Sequence, residues 1–251
     1  MAKSSKKEKI EENKKKSSTG NSILDFEKDY TVIDIETTGV NFRQSEILEI
    51  GAVKVSNGII IDKFSELVRP QNYFLCPTEF DDDFCFVNGE KIQFVSDFVR
   101  DLTGIKNKML ENARSEIEVL SDFVNFIGDD FIIGHNVPFD LKFLSEASLK
   151  YFQKPILNSY SDTLKISVKL LPNMEHHKLK DLAELYNIDY SHAHRALEDC
   201  IITFKCYEYM KKQILEVFGN YKEFEIYYKT KSKKKKKNIQ NLVEHQKILD
   251  I

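Results

Sequence analysis

Two acids on one apolar strand restrict this 251-residue chain more than any other feature in it. In Tyr30-Thr31-Val32-Ile33-Asp34-Ile35-Glu36-Thr37-Thr38-Gly39, the residues Val32, Ile33 and Ile35 read as a buried strand that Gly39 ends. Side chains alternate along a strand, so Val32, Asp34 and Glu36 point the same way. Two carboxylates at the end of an apolar strand repel each other and lose hydration, which is unfavourable unless a cation lies between them. Hard divalent cations that prefer oxygen ligands, Mg²⁺ or Mn²⁺, are the natural partners. An isolated Asp-x-Glu is more often a solvated strand end. Here two further acidic pieces follow downstream.

The chain around this strand reads as an α/β domain. A second strand is predicted at Ile47–Val55 and a third at Ile59–Val68, joined antiparallel through Asn57-Gly58, a strong hairpin signal. Helices are predicted over Ser115–Phe126, Pro138–Ser148, Lys178–Tyr186 and Arg195–Val217. Further strands are predicted at Phe131–Gly134 and near Ser161-Asp162-Thr163-Leu164. Three antiparallel strands followed by alternating helices and strands give a mixed five-stranded sheet flanked by helices. Residues 71–101 interrupt this order with aromatics, Asp81-Asp82-Asp83 and Asn88-Gly89 in no sustained period. They read as an irregular insertion with a short hairpin about Asn88-Gly89, long enough to form a flap.

The second acidic piece is Asp140, in the first turn of the helix that follows Phe131–Gly134. Sites in open α/β sheets collect at the carboxyl ends of strands, where Asp34 and Glu36 also lie. The third piece is His192-Ala193-His194-Arg195-Ala196-Leu197-Glu198-Asp199. His194 and Asp199 are five apart, about 140° from a common face on a regular helix. If Asp199 faces the site from the helix, His194 must stand at or before the helix start. An imidazole on looser backbone beside metal-binding acids suits a general base. His192 is the rival, read as an exposed loop histidine.

At these residues the chain resembles the DEDDh, or DnaQ-like, 3′→5′ exonuclease family. Asp34-Ile-Glu36-Thr-Thr-Gly39, Gly134-His-Asn-Val-Pro-Phe-Asp140 and His194-Arg-Ala-Leu-Glu-Asp199 look like its three motifs, and Leu102-Thr-Gly-Ile105 and Asp162-Thr-Leu164 are similar to further family segments, in the expected order. The resemblance covers about Asp29–Tyr209 and implies a ribonuclease-H-like fold. It also implies roles. Asp34 bridges two divalent cations, Glu36 and Asp199 hold the first, and Asp140 holds the second. His194 takes a proton from the attacking water, and a nucleoside 5′-monophosphate leaves. Thr37, Thr38 and Gly39 cradle the terminal nucleotide, with Val40 or Phe42 against its base and His135 and Asn136 also in the substrate site. The reaction so implied is metal-dependent 3′→5′ hydrolysis of single-stranded DNA ends in proofreading or repair. RNA 3′-end trimming is the alternative within the family, and a catalytically silent nucleic-acid-binding module is the alternative outside it.

Charge separates the ends from the body. Residues 1–20 carry seven Lys and three Glu, and residues 222–251 carry nine Lys and four acids, so the part between them stands at −12 against −3 for the whole chain. That is not the basic folded surface of a DNA-coating protein. It suits an acidic body with lysine-rich ends that offer phosphate contacts. The expected organisation is a Lys-rich disordered tail over 1–22, an exonuclease domain over 23–221, and a Lys-rich linker with a short amphipathic segment over 222–251. Within that last part, Gln246-Lys247-Ile248-Leu249-Asp250-Ile251 looks like a loose version of the Gln-Leu-x-Leu-x-Leu peptides that bind bacterial sliding clamps, Lys247 departing from the pattern. A DNA polymerase or its clamp is therefore a candidate partner beside single-stranded 3′ ends. No apolar run approaches the roughly 20 residues needed to span a bilayer, and no signal core is present, so a cytoplasmic protein is expected. Cys76, Cys85, Cys200 and Cys206 have no CxxC spacing and read as free thiols.

Overall fold

The computed structural model of the chain describes residues 19–71, 79–80, 85–87 and 90–229. Most of the basic tail, Asp81-Asp82-Asp83, the lysine run Lys233–Lys237 and the amphipathic segment Asn238–Ile251 lie outside the described residues.

Strands β1 (Asp29–Thr37), β2 (Ile47–Ser56) and β3 (Ile59–Arg69) form an antiparallel meander. The β2–β3 turn is Asn57-Gly58, with φ of 50° and 76°. Positive φ at both central residues is what a tight hairpin compatible with strand twist requires. A three-stranded antiparallel sheet, β4 (Glu79–Phe80), β5 (Cys85–Val87) and β6 (Glu90–Ile92), follows. Val87 pairs with Glu90, which brackets the predicted Asn88-Gly89 hairpin. Next come α1 (Asp97–Thr103), a 3₁₀ turn (Asn107–Leu110), β7 (Arg114–Ser115) and α2 (Glu116–Ile127). The rest is β8 (Ile132–Gly134), α3 (Pro138–Phe152), β9 (Tyr160–Asp162), α4 (Thr163–Leu170), α5 (Leu179–Leu185), α6 (Ala196–Phe218) and α7 (Tyr221–Lys229).

The main sheet runs β7-β3-β2-β1-β8-β9. Its three-strand meander continues into parallel β8 and β9, as expected. The sixth strand, β7, is a two-residue parallel pairing of Arg114 and Ser115 with Val68 and Arg69. It is too short to leave an alternating pattern in the sequence. Helices cover both faces. Val32, Tyr30 and Val53 pack toward α4 to α7, through Ile166, Leu182, Cys206, Tyr207 and Met210. Ile33, Ile35 and Ile50 pack toward α2 and α3, through Leu120, Phe123, Leu141 and Leu144. The alternation of β1 is thus real: its acids share a face with Val32, and its isoleucines face the other layer.

Several boundaries differ from the sequence reading. Thr163 and Leu164 are helical because the Asp162 side chain accepts the Leu164 N–H at 3.1 Å and caps α4. Helix α1 carries no one-sided apolar pattern, since Phe98 and Leu102 point outward while Val99 and Thr103 are buried. Its stop, Gly104 at φ 70°, is an ordinary left-handed cap. Residues 222–229, placed by charge in a linker, are helical instead. Phe224 and Tyr227 of α7 are buried, Phe224 stands edge-on to Phe218 at 5.1 Å, and Tyr221 stacks on Phe26 at 4.4 Å. The charges that suggested a linker sit on the outer side of this helix. At the other end, Ser22 bridges Tyr160, so the chain already lines the β9 edge inside the span assigned to the tail. Among the described residues, no helix is long and apolar enough to cross a membrane. Cys200 and Cys206 are free and buried.

Candidate active site

At the carboxyl end of β1 the register with β2 slips: Glu36 faces Glu49, but Thr37 faces Ile47. The extra residue, Leu48, turns into a small core with Val95, Val99, Ile105 and Leu110. Such a bulge bends a strand and re-aims its neighbours. Asp34 and Glu36 lie just before it and face α6. Asp199, in the first turn of α6, meets them there. One oxygen from each of Asp34, Glu36 and Asp199 lies within 4.8 Å of the others, which is a spacing for a shared cation. Asp140 does not join that group. It sits beside it, buried, accepting the Ile35 N–H at 3.1 Å, and so is tied to β1 between the other two acids.

The electrostatics report the same convergence. Burial, and then the charges of Asp140, Asp199 and Glu36, hold the Asp34 carboxyl well above the usual range. Burial followed by Asp199 pushes Glu36 up to about 8. Burial raises Asp140 to about 8 against two hydrogen bonds that pull it down, and raises Asp199 to about 6. Four acids that resist ionisation together are a donor set that divalent cations would relieve. A consequence for stability follows. These folded-state values lie above the unfolded ones, so between about pH 4 and about pH 8 the native state binds more protons than the unfolded chain. The contribution of these acids to the stability of the metal-free protein is therefore fully present below about pH 4 and is lost progressively as pH rises from about 4 to about 8. In EDTA the melting temperature is expected to fall across that window, and added Mn²⁺ is expected to recover most of the loss at pH 8. A melting temperature that rises with pH in EDTA would contradict this.

His194 precedes the helix, as the spacing required. Its φ is 68°, in the left-handed region, and Arg195 is the residue at which α6 starts. That twist lets the His194 N–H donate to both Asp199 carboxylate oxygens at 3.3 Å. The imidazole stands edge-on to the Tyr190 ring at 5.8 Å. Tyr190 faces the acids too: burial and then Asp199, Asp34 and Glu36 push its phenol up to about 12. His192 is exposed.

The other predicted residues divide. The Thr37 hydroxyl donates to the Gly39 carbonyl at 2.7 Å, and Thr38 closes the loop on Glu46 through two 2.9 Å bonds. Val40 is 87% exposed at the tip. Phe42 instead leans edge-on against Phe143 at 6.4 Å, with Arg43 and Lys142 over its ring at 5.4 and 5.5 Å. Beside Thr38 and Phe42 lies a cavity of about 700 Å³, walled by α3 at Phe143 and by the insertion at Ile92, Gln93 and Phe94. His135 is used internally: its Nδ1 is 3.0 Å from the Thr163 hydroxyl, and burial lowers it to about 4, leaving the ring neutral. Asn136 is exposed at φ 62°, its N–H on Asp162 at 2.9 Å.

Three residues near the site were missed in the sequence. Asp162 holds the loop that leads to Asp140. Tyr190 flanks His194. Glu49 is 1% exposed and bound by Arg195. Two of them had a visible signal: Asp162 opens the Asp162-Thr-Leu164 segment, and Glu49 is a lone charge inside Ile47-Leu48-Ile50-Gly51-Ala52-Val53.

The family described as exonuclease matches residues 31–77 and 84–207. The chain is 32% identical over 190 residues to the DNA polymerase III subunit epsilon of Aquifex aeolicus, covering 76% of this chain and 84% of that one. It is 33% identical over 199 residues to the PolC-type DNA polymerase III of Caldanaerobacter subterraneus subsp. tengcongensis, covering 79% of this chain but 13% of that much longer one. Among solved structures, exonuclease X in complex with 5′ overhanging duplex DNA is similar with a TM-score of 0.51 and 23% identity, over 72% of this chain and 90% of that one. E. coli exonuclease I in complex with a dT13 oligonucleotide is similar with a TM-score of 0.60 and 17% identity, over 77% of this chain and 43% of that one. At those identities the likeness is one of fold, the ribonuclease-H-like arrangement expected from the motifs.

Proposed function

The chain belongs to the exonuclease family, and on that premise we propose that it removes nucleotides 3′→5′ from single-stranded DNA ends, releasing nucleoside 5′-monophosphates. The observation that carries this reading is the meeting of Asp34, Glu36 and Asp199 within 4.8 Å, with His194 bonded to Asp199 through its backbone. The relative of similar length is a DNA polymerase subunit, which favours DNA and makes a polymerase a candidate partner.

In this reading Asp34, Glu36 and Asp199 would hold one divalent cation, Mg²⁺ or Mn²⁺, and Asp140 with Asp34 would hold a second. Two such ions supply positive charge for the attacking and leaving oxygens of the phosphodiester. The protein does the rest. His194, next to Asp199 in the acid cluster, accepts the proton of the attacking water. The Tyr190 ring stands perpendicular to its imidazole at 5.8 Å. Asp162 fixes the loop ahead of Asp140, so that acid arrives in one place. Val40, exposed at the tip of the 37–46 loop, offers an apolar contact for the terminal base, and Phe42 with Arg43 and Lys142 offers a ring and two cations along the path of the strand.

The test is digestion of 5′-labelled single-stranded DNA and RNA of one sequence, side by side, with Mg²⁺, Mn²⁺ or EDTA. A ladder shortening from the 3′ end of DNA, with nucleoside 5′-monophosphates as product and no reaction in EDTA, is expected. Preferential shortening of the RNA would move the substrate to RNA. Binding without shortening under any metal would replace the enzyme by a silent module.

A further inference from the structure

Glu49 stands on β2 directly across from Glu36 and is 1% exposed. This fifth carboxylate adds to the repulsion on Asp34, Glu36 and Asp199. Both of its oxygens are nevertheless engaged by partners outside that cluster. The Arg195 guanidinium grips it as a fork, Nε to Oε2 at 3.0 Å and Nη2 to Oε1 at 2.6 Å. The Ala196 N–H donates to the same Oε2 at 3.1 Å. These bonds hold the residue at which α6 starts and the first residue within it.

That start is unusual in two ways. Arg195 makes no side-chain cap to its own helix, so the helix lacks the local acceptor that Ser, Asp or Asn would supply. Glu49 supplies it from another strand, and a negative charge at a helix N-terminus is favourable in itself. The turn also lies flat on β2, since a Cβ on Gly51 would stand 2.3 Å from the Ala196 carbonyl carbon. Both groups that α6 brings to the acids hang from this start. His194 directly precedes Arg195. The Asp199 N–H bonds the Arg195 carbonyl at 2.9 Å, and the Asp199 carboxylate receives the His194 N–H.

We propose that Glu49 and Arg195 are a positioning pair, which clamps the first turn of α6 to β2 and thereby sets His194 and Asp199 in register with Asp34 and Glu36. The inference rests on the exonuclease reading of the site. Glu49 lies on the same sheet face as Glu36, yet both of its oxygens are taken by Arg195 and Ala196, and it stays outside the group formed by Asp34, Glu36 and Asp199. A pair that served stability alone would lower the melting temperature and leave the folded protein's turnover and metal affinity intact.

Glu49→Gln keeps the shape and one acceptor but removes the charge. Arg195→Lys keeps the charge but loses the fork. For each variant and for the double variant, kcat and KM on single-stranded DNA are measured at saturating Mn²⁺, and Mn²⁺ binding is measured by calorimetry without substrate. Each single change is expected to lower kcat by roughly 10–100-fold at little-changed KM and to weaken Mn²⁺ binding, as loss of a ligand's outer support does. Because the two act as one unit, the double variant is expected to lose no more than the worse single one. Turnover and Mn²⁺ affinity within about twofold of wild type in a folded single variant, or losses that multiply in the double, would overturn the proposal. If Glu49→Gln does not fold, Arg195→Lys decides by the same two readings. If the wild-type chain proves to have no nuclease activity, the reaction assigned to the site fails, and the Mn²⁺ titration still decides whether the pair positions Asp199.

Discussion

Asp34→Ala is expected to lower kcat on single-stranded DNA by more than about 10³-fold, while the metal-free protein melts no lower than wild type at pH 8. Asp34 is the acid that every other acid touches: Asp140, Asp199, Glu36 and Glu49 all hold its carboxyl in the protonated direction. Its loss removes a ligand that both proposed cations share. Charge stabilisation by such ions is worth several kcal/mol, and about 4 kcal/mol is roughly 10³-fold in rate. The same substitution deletes a buried carboxyl that its acidic neighbours repel, so the apo protein loses a repulsive partner rather than a supporting one. Activity and stability therefore move in opposite directions, which ordinary core damage does not produce. The check is kcat by gel assay together with the melting temperature in EDTA. Retention of a tenth of wild-type turnover would remove Asp34 from the centre, and a large fall in the apo melting temperature would show that its role is structural.

The legible parts of this site are those that repeat a local rule. Alternation along β1 placed Asp34 and Glu36 on one face with Val32, and the structure has them there. The 100°-per-residue arithmetic of a helix forbade His194 and Asp199 from sharing a regular helix, and His194 indeed lies before α6 at φ 68°. Asn57-Gly58 is a turn that needs only its two residues to be recognised.

What was not legible depends on distant partners. Glu49 looks like a misplaced charge in a strand until Arg195, 146 residues later, is folded onto it. Tyr190 is an unremarkable aromatic ahead of a histidine until the loop sets its ring perpendicular to the imidazole. Helix α7 was hidden by its own solvent face, because lysine and glutamate at Lys222, Glu223, Glu225 and Lys229 outweigh Phe224 and Tyr227 in composition, though not in packing. His135 shows a bond of the same distant kind. Its motif position suggested substrate, and its Nδ1 lies 3.0 Å from the Thr163 hydroxyl, 28 residues later. A motif records which residue types recur, while the hydrogen bond decides which of them are free to meet a ligand.

His194→Ala is expected to lower kcat by roughly 10²–10⁴-fold, the usual worth of a positioned base, with Mn²⁺ affinity nearly unchanged. The structure separates the two functions of this residue. Its backbone N–H holds Asp199, and alanine keeps that N–H. Its imidazole lies against Tyr190 and is the part that alanine removes. Metal binding should survive and proton transfer should not. Alanine at φ 68° is strained, since few side chains tolerate that region. His194→Asn, which accepts the left-handed conformation more readily, is therefore the cleaner partner variant. If both lose turnover alike and both bind Mn²⁺ as wild type does, the loss belongs to the imidazole. His192→Ala serves as the control. It is exposed and two residues from the base, and full activity is expected. A larger loss at His192 than at His194 would exchange the two histidines, and equal Mn²⁺ weakening with turnover loss in His194→Asn would turn the residue from a base into a support for Asp199.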